Sequence, residues 1–464
     1  MKIHTSYVIL IQRQLTAAVD KKTGQLQVTA SRMVDDRLMR QTADVCLQAL
    51  TFCVSVFQKE WDGLSRLSGQ LRKNAAEKLI HSTRDNTARY PEFDRKFKNF
   101  PSYIRRAVTA KALGMVSSYV SNYKNWLALS PAERGGEPVL GLPDRYELTF
   151  YDQERKLSSL KKGQVGLKLY DGKSWGWYYF QISQADASYL SALCRTRKML
   201  SPVLEKVRGR YRIRFTFKEE QELVQDAEKL SYRILAVDLG INAAASWCIL
   251  TADGTVHAKG VIHLACEEDR LNRQINRKRK YQKAGKKSKC AYRWIRNANE
   301  RLSIETTKAL MNVAVLYSVD CIVFEHLDGR GKVKGKKFRE RIHLWRKNDV
   351  QHRVEMQAHR YGMRVSRVCA WNTSRLAYDG SGPVDRHSVY RFEHGKKVYN
   401  YSLCTFQTGK VYNCDLSAAQ NISARFFLRE YEKNGVEGLP STPQRTLCTL
   451  RLLASNGQPE LPAA

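Results

Sequence analysis

The sequence predicts a mixed α/β protein of several domains, in which a helix-rich block interrupts a small β-domain and a second α/β domain follows. Strand-like alternation at the amino end stops near residue 30 and resumes near residue 146, with helical spacing between. From residue 234 onward, evenly apolar runs of strand length end abruptly in a carboxylate. A chain of 464 residues has material for two to four such domains.

Taken in order, residues 1–30 give two strands, Tyr7 to Ile11 and Leu26 to Ala30, around a turn at Lys22-Thr23-Gly24. Residues 31–140 are helical: Leu47, Leu50, Val54 and Phe57 recur at three- and four-residue steps, and the pattern ends at Pro131 and Gly135-Gly136. Residues 141–230 alternate again at Tyr146 to Phe150, Val165 to Leu169, Trp177 to Phe180 and Tyr211 to Phe217. Strands on both sides of the helical block then pair as one β-domain. Residues 231–435 form the second α/β domain. The polar segment 436–464, with Pro440, Pro443, Pro459 and Pro462, is expected to be partly disordered.

The formal net charge is +34 and the pI about 9.8. Such an excess of cations repels itself and suits a polyanionic partner rather than a small metabolite. Twenty-three tyrosines and eight tryptophans among the cations suit stacked bases. No apolar run is long enough to span a membrane, and eleven cysteines without a CxxC pair fit a reducing cytoplasm. Neither a phosphate-binding glycine loop nor a Ser-His-Asp grouping is legible.

The chemistry sits at three acids. Ile234-Leu235-Ala236-Val237-Asp238 is a buried strand ending in Asp238, followed by Gly240 and two further strands, a meander. Cys321-Ile322-Val323-Phe324-Glu325 is a second apolar strand, ending in Glu325. Asp415 opens a helix whose Ala418, Ile422 and Phe426 share one face, a position where an acid is commonly an N-cap. Carboxylates converging from separate elements suit two Mg²⁺ ions about 3.5–4 Å apart, bound for phosphodiester hydrolysis.

Asp238-Leu239-Gly240, Phe324-Glu325 and Asp415-x-x-Ala418-Ala419-x-Asn421-Ile422 resemble the three RuvC motifs of the transposon-encoded TnpB nucleases and of type V CRISPR effectors. The resemblance is clear over residues 231–428. It implies an RNase H-like (RuvC) catalytic domain and an N-terminal, β-barrel-like wedge domain in two parts, 1–30 and 141–230. It also implies a recognition lobe at 31–140. The implied activity is guide-RNA-directed cleavage of double-stranded target DNA in a bacterial or archaeal cytoplasm. Two other readings stay open: a guided DNA binder that does not cut, and a guide-independent RuvC-like nuclease. Whether the setting is a transposon or CRISPR, and the oligomeric state, are not legible.

The family places two cysteine pairs between its second and third motifs, but here Thr373-Ser374 is followed by no cysteine. Cys369, Cys404, His387 and His394 lack zinc-like spacing, so the degenerate insertion 372–413 is expected to hold a small hairpin, Val389 to Cys404, instead of zinc. The basic stretch 265–301 reads as one helical run contacting phosphates through Arg273, Arg277, Lys278, Arg279, Lys280, Arg293 and Arg296. Lys334 and Lys336 lie on a basic loop, read equally as phosphate-contacting or merely solvated. Arg375 is read as a contact to the scissile phosphate.

Overall fold

The computed structural model describes residues 1–19, 26–157, 160–240, 243–286, 288–326, 346–394 and 396–456. It divides into two compact units, Lys2–Glu220 and Gln221–Ala464 with Met1.

In the first unit, β1 (Lys2–Leu10), β2 (Arg13–Val19) and β3 (Leu26–Arg32) precede the helices. The amino end thus carries three strands rather than two. The missing one is β2: the chain leaves β1 and crosses at once to a second sheet, where Gln12 N–H donates to Gln181 O at 2.9 Å. The helical block is α1 (Asp36–Lys59), α2 (Trp61–Ser65), α3 (Gly69–Ile80), α4 (Glu92–Lys96) and α5 (Ser102–Ala128). Asp35 caps α1 by accepting from Arg37 N and Leu38 N, and Met39, Cys46, Leu50, Cys53 and Phe57 bury its apolar stripe. Seven strands follow: β4 (Leu148–Thr149), β5 (Arg155–Lys156), β6 (Gln164–Tyr170), β7 (Trp175–Gln181), β8 (Lys198–Met199), β9 (Val203–Val207) and β10 (Arg210–Glu220). Helix α6 (Gln184–Thr196) lies between β7 and β8. The strands form two sheets. One runs β1-β10-β9-β4 with β8 also on β10, and the other β3-β2-β7-β6-β5. Each sheet therefore joins strands from before and after the helical block.

The second unit is built on β11 (Ile234–Asp238), β12 (Ala245–Leu250), β13 (Val256–Ile262), β14 (Cys321–His326) and β15 (Arg364–Cys369), in the order β13-β12-β11-β14-β15. The first three are antiparallel; β14 runs parallel to β11, and β15 parallel to β14. Alternation sorts the side chains. Leu235, Val237, Ile322 and Phe324 pack with Leu310 and Met311 of α8 (Lys289–Leu316) and Val350 and Val354 of α9 (Lys347–Ala358). Ile234, Ala236, Cys321 and Val323 pack on the opposite face with Ala419, Ile422 and Phe426 of α10 (Cys414–Lys433).

One expectation changes here. The basic stretch is two helices, α7 (Ala265–Lys283) and α8, not one. The break falls at Gly285, whose φ of +66° is costly for any other residue. The tail segment contains α11 (Leu447–Ser455), which buries Leu447 and Leu450 against α10. Among the described residues, no helix is long and apolar enough to cross a membrane.

Candidate active site

Register brings the first two acids together. Val237 of β11 pairs with Phe324 of β14, so the next residue on each strand is Asp238 and Glu325 respectively. Neighbouring strands lie about 4.8 Å apart, and equivalent positions on them project from the same face. Asp238 shares parity with Ile234 and Ala236, and Glu325 with Cys321 and Val323, so both belong to the α10 face. Beyond Asp238 the chain turns sharply at Gly240. A Cβ there would stand 2.6 Å from the Ala243 carbonyl oxygen.

The third acid enters from α10. Its N-cap is Asn413, whose side-chain oxygen accepts from Asp415 N and Leu416 N, both at 3.0 Å. Asp415 is therefore not the cap; it stands in the first turn with its carboxylate released. Asn413→Ala should cost about 1 kcal/mol and lower the melting temperature by roughly 2–4 °C in thermal denaturation.

Electrostatics sets these acids apart. Burial, then the charges of Glu325 and Asp415, push the Asp238 carboxyl well above the usual range, with Arg386 opposing. Burial raises Glu325 as well, against a hydrogen bond from Thr373 and the charges of Arg425 and Lys347. Asp415 is raised by burial and eased by Arg386. Among the described residues, the buried hydroxyl of Ser246, across the ladder from Asp238, has no hydrogen-bond partner.

A buried frame holds Glu325. The Thr373 hydroxyl donates to Glu325 Oε1, and Gln351 Nε2 donates to its main-chain oxygen at 3.0 Å. Asn421 of α10 grips the Thr373 loop by donating to Thr373 O at 3.0 Å and Leu376 O at 2.9 Å. One turn on, Arg425 is 2% exposed and donates to the carbonyls of Cys369, Trp371, Pro443 and Arg445. Thr373→Val removes the donor that favours ionised Glu325. The Glu325 carboxyl should then titrate at still higher pH, a shift that infrared titration of the carboxyl groups of both proteins would read.

The other sequence candidates scatter around this frame. Arg273, Arg277, Arg279 and Lys280 are exposed on α7, and Arg293 and Arg296 on α8; Lys278 is half-buried. Arg277 lies 4.4 Å over the Trp294 ring and Lys278 5.7 Å over Tyr292, so two of these cations also fasten α7 to α8. Lys334 and Lys336 lie outside the described residues. Arg375 is exposed, whereas Arg386 is the arginine whose charge reaches Asp238 and Asp415, its Nη2 donating to Ser374 O at 2.8 Å. Nothing local in the sequence marks Arg386; the Asp385–Thr405 bridge brings it in. The expected hairpin is present as β16 (Tyr390–Glu393) and β17 (Lys396–Tyr399), followed by β18 (Leu403–Thr405) and β19 (Val411–Asn413). Cys404 and Cys414 are buried with Ala377 and Phe406 in a small apolar core, while Cys369 is exposed at the end of β15.

Among the described residues no three Asp, Glu, His or Cys side chains close into a metal cage. The acid set nonetheless fits magnesium, which takes hard oxygen donors and keeps several waters. Three carboxylates held in one buried place need positive charge from elsewhere.

A family model described as Aq_aa04 matches residues 22–171. No curated protein matches the chain in sequence. Among solved structures, the cryo-EM structure of a Cas12f1–sgRNA–target DNA complex is 12% identical with a TM-score of 0.51, covering 91% of this chain and 99% of that one. The chain shares the fold of that protein. A crystal structure of the AacC2c1–sgRNA–extended non-target DNA complex is 9% identical with a TM-score of 0.43, covering 77% of this chain and 62% of that one.

Proposed function

We propose that this chain is a magnesium-dependent, RNA-guided endonuclease cutting double-stranded DNA, with an RNase H-like, RuvC-type catalytic domain in Gln221–Ala464. The observation that carries the reading is the register of β11 and β14, which sets Asp238 beside Glu325 on the face where α10 carries Asp415 in its first turn. Two magnesium ions held by these three carboxylates would supply the Lewis acidity for phosphodiester hydrolysis. Thr373 donates to Glu325 and so favours its ionised form, while Arg386, whose charge reaches Asp238 and Asp415, and the exposed Arg375 would meet the phosphate whose charge grows during reaction. The chain's +34 charge, with the exposed cations of α7 and α8, suits the backbone of a guide RNA and its heteroduplex. Lys2–Glu220 would serve as wedge and recognition lobe. The Cas12f1 complex, which contains sgRNA and target DNA, supports this assignment of partners.

Co-expression with the DNA flanking its gene, followed by sequencing of RNA that copurifies, tests the guide. A discrete, structured RNA is expected; unselected fragments of cellular RNA would remove the guide from the account. The missing cysteine pairs after Thr373-Ser374 support one second reading, a guided DNA binder that does not cut.

A further inference from the structure

Two buried polar groups on the face of the acids have no hydrogen-bond partner among the described residues, and they come from elements packed on each other. The first is the hydroxyl of Ser246, 1% exposed, whose register partner is Asp238. Ser246 shares parity with Cys248 and Leu250 and so belongs to the face that α10 covers, the face of the acids. The second is the side-chain oxygen Oε1 of Gln420 on α10, a residue 2% exposed. Ser423 of α10 touches the side chain of Cys248 and so fixes how the helix lies on β12. From that contact, one turn back along α10 leads to Gln420, and two residues back along β12 lead to Ser246. Both steps run toward the acids, since Asp415 opens α10 and Asp238 lies level with Ser246. A buried hydroxyl or amide oxygen without a partner costs about 1–3 kcal/mol. Alanine and leucine at these positions would avoid that cost, so the two groups serve something other than packing.

We propose that Ser246 and Gln420 are positioning residues for magnesium, accepting hydrogen bonds from water that the ion keeps when Asp238, Glu325 and Asp415 hold it. The inference rests on the nuclease reading above and adds two neutral groups to its site. Magnesium gives up its water reluctantly, and the protons of retained water need acceptors where bulk solvent is excluded. A hydroxyl and an amide oxygen supply those acceptors without adding a fourth negative charge beside Asp238, which Glu325 and Asp415 already crowd.

The test is manganese titration of the full-length protein, freed of nucleic acid, read by loss of the free ion's electron paramagnetic resonance signal. Manganese takes the same oxygen ligands as magnesium. Wild-type protein should bind the ion, and Asp238→Asn should lose the tightest site. Ser246→Ala and Gln420→Met should each weaken that site by about tenfold, whereas Gln420→Glu, which keeps an oxygen in place, should retain it. In EDTA, Ser246→Ala should melt no lower than wild type, because it removes an unsatisfied hydroxyl. A merely structural serine would do the reverse, losing stability and leaving the ion's affinity unchanged. If Gln420→Met melts early, Ser246→Ala alone decides. Wild-type affinity in folded Ser246→Ala or folded Gln420→Met, or equal weakening in Gln420→Glu, would overturn the proposal and leave the acids as they are. Wild-type protein that binds no manganese through Asp238 would overturn the magnesium reading and the proposal together.

Discussion

Asp238→Asn is expected to abolish DNA cleavage, by about 10³-fold or more, while making the metal-free protein more stable. Both effects have one cause. The carboxyl of Asp238 is raised by burial and by the charges of Glu325 and Asp415, so ionising it in the fold is unfavourable. An acid with a raised folded pKa binds more protons folded than unfolded once pH exceeds the ordinary aspartate value, near 4. Stability therefore falls as pH climbs from there to the folded pKa and stays reduced above it. Asparagine removes that penalty. At neutral pH without magnesium the variant should melt roughly 2–4 °C higher, the response to about 1 kcal/mol in a domain of this size. The gain should vanish below about pH 4, where the native carboxyl is protonated in both states. Thermal denaturation of both proteins across pH, in EDTA, checks it; an unchanged or lower melting temperature at neutral pH would contradict the crowding of the acids.

Arg425→Met is expected to be the most damaging change outside the acids. Its guanidinium is buried and satisfies four carbonyls, one at the end of β15, one on the loop after it and two on the segment leading into α11. Methionine matches much of the length but leaves those oxygens without donors, a cost of about 3–5 kcal/mol. Its charge also restrains the raised Glu325, so activity should fall along with stability. The transition of the Gln221–Ala464 unit should drop by about 10 °C. Arg425→Lys should recover little, because one ammonium cannot span the four acceptors. Wild-type melting behaviour in Arg425→Met would show that the loop carrying Thr373 is held by something else.

Much of the acid site was legible because each acid ends or begins a strongly patterned segment. Ile234 to Val237 and Cys321 to Phe324 are uniformly apolar, and only a buried strand uses such a run. What the pattern could not show is that these strands, more than eighty residues apart, run side by side in register. Nor could it show that Asn413 relieves Asp415 of capping, although both residues were in view. β2 was hidden because Ala17 and Ala18 blur the alternation and no Gly or Pro marks the turn from β1. α6 carried a cap in plain sight, Ser183 accepting from Asp186 N, but its apolar stripe is thin: only Ala187 and Leu190 are buried. α11 was hidden behind Pro440 and Pro443, whose carbonyls serve as acceptors for Arg445 and Arg425 respectively. Arg386 was not legible at all, since long-range pairing alone carries it to the acids.

The central claim is most directly tested by offering a plasmid library with randomised flanks to protein co-expressed with its neighbouring non-coding DNA. Asp238→Ala is run beside it. The account predicts RNA- and magnesium-dependent cutting next to a defined flanking sequence, absent from the variant. RNA-dependent binding with no cutting by either protein would contradict it, leaving a guided binder whose three carboxylates do not act on DNA.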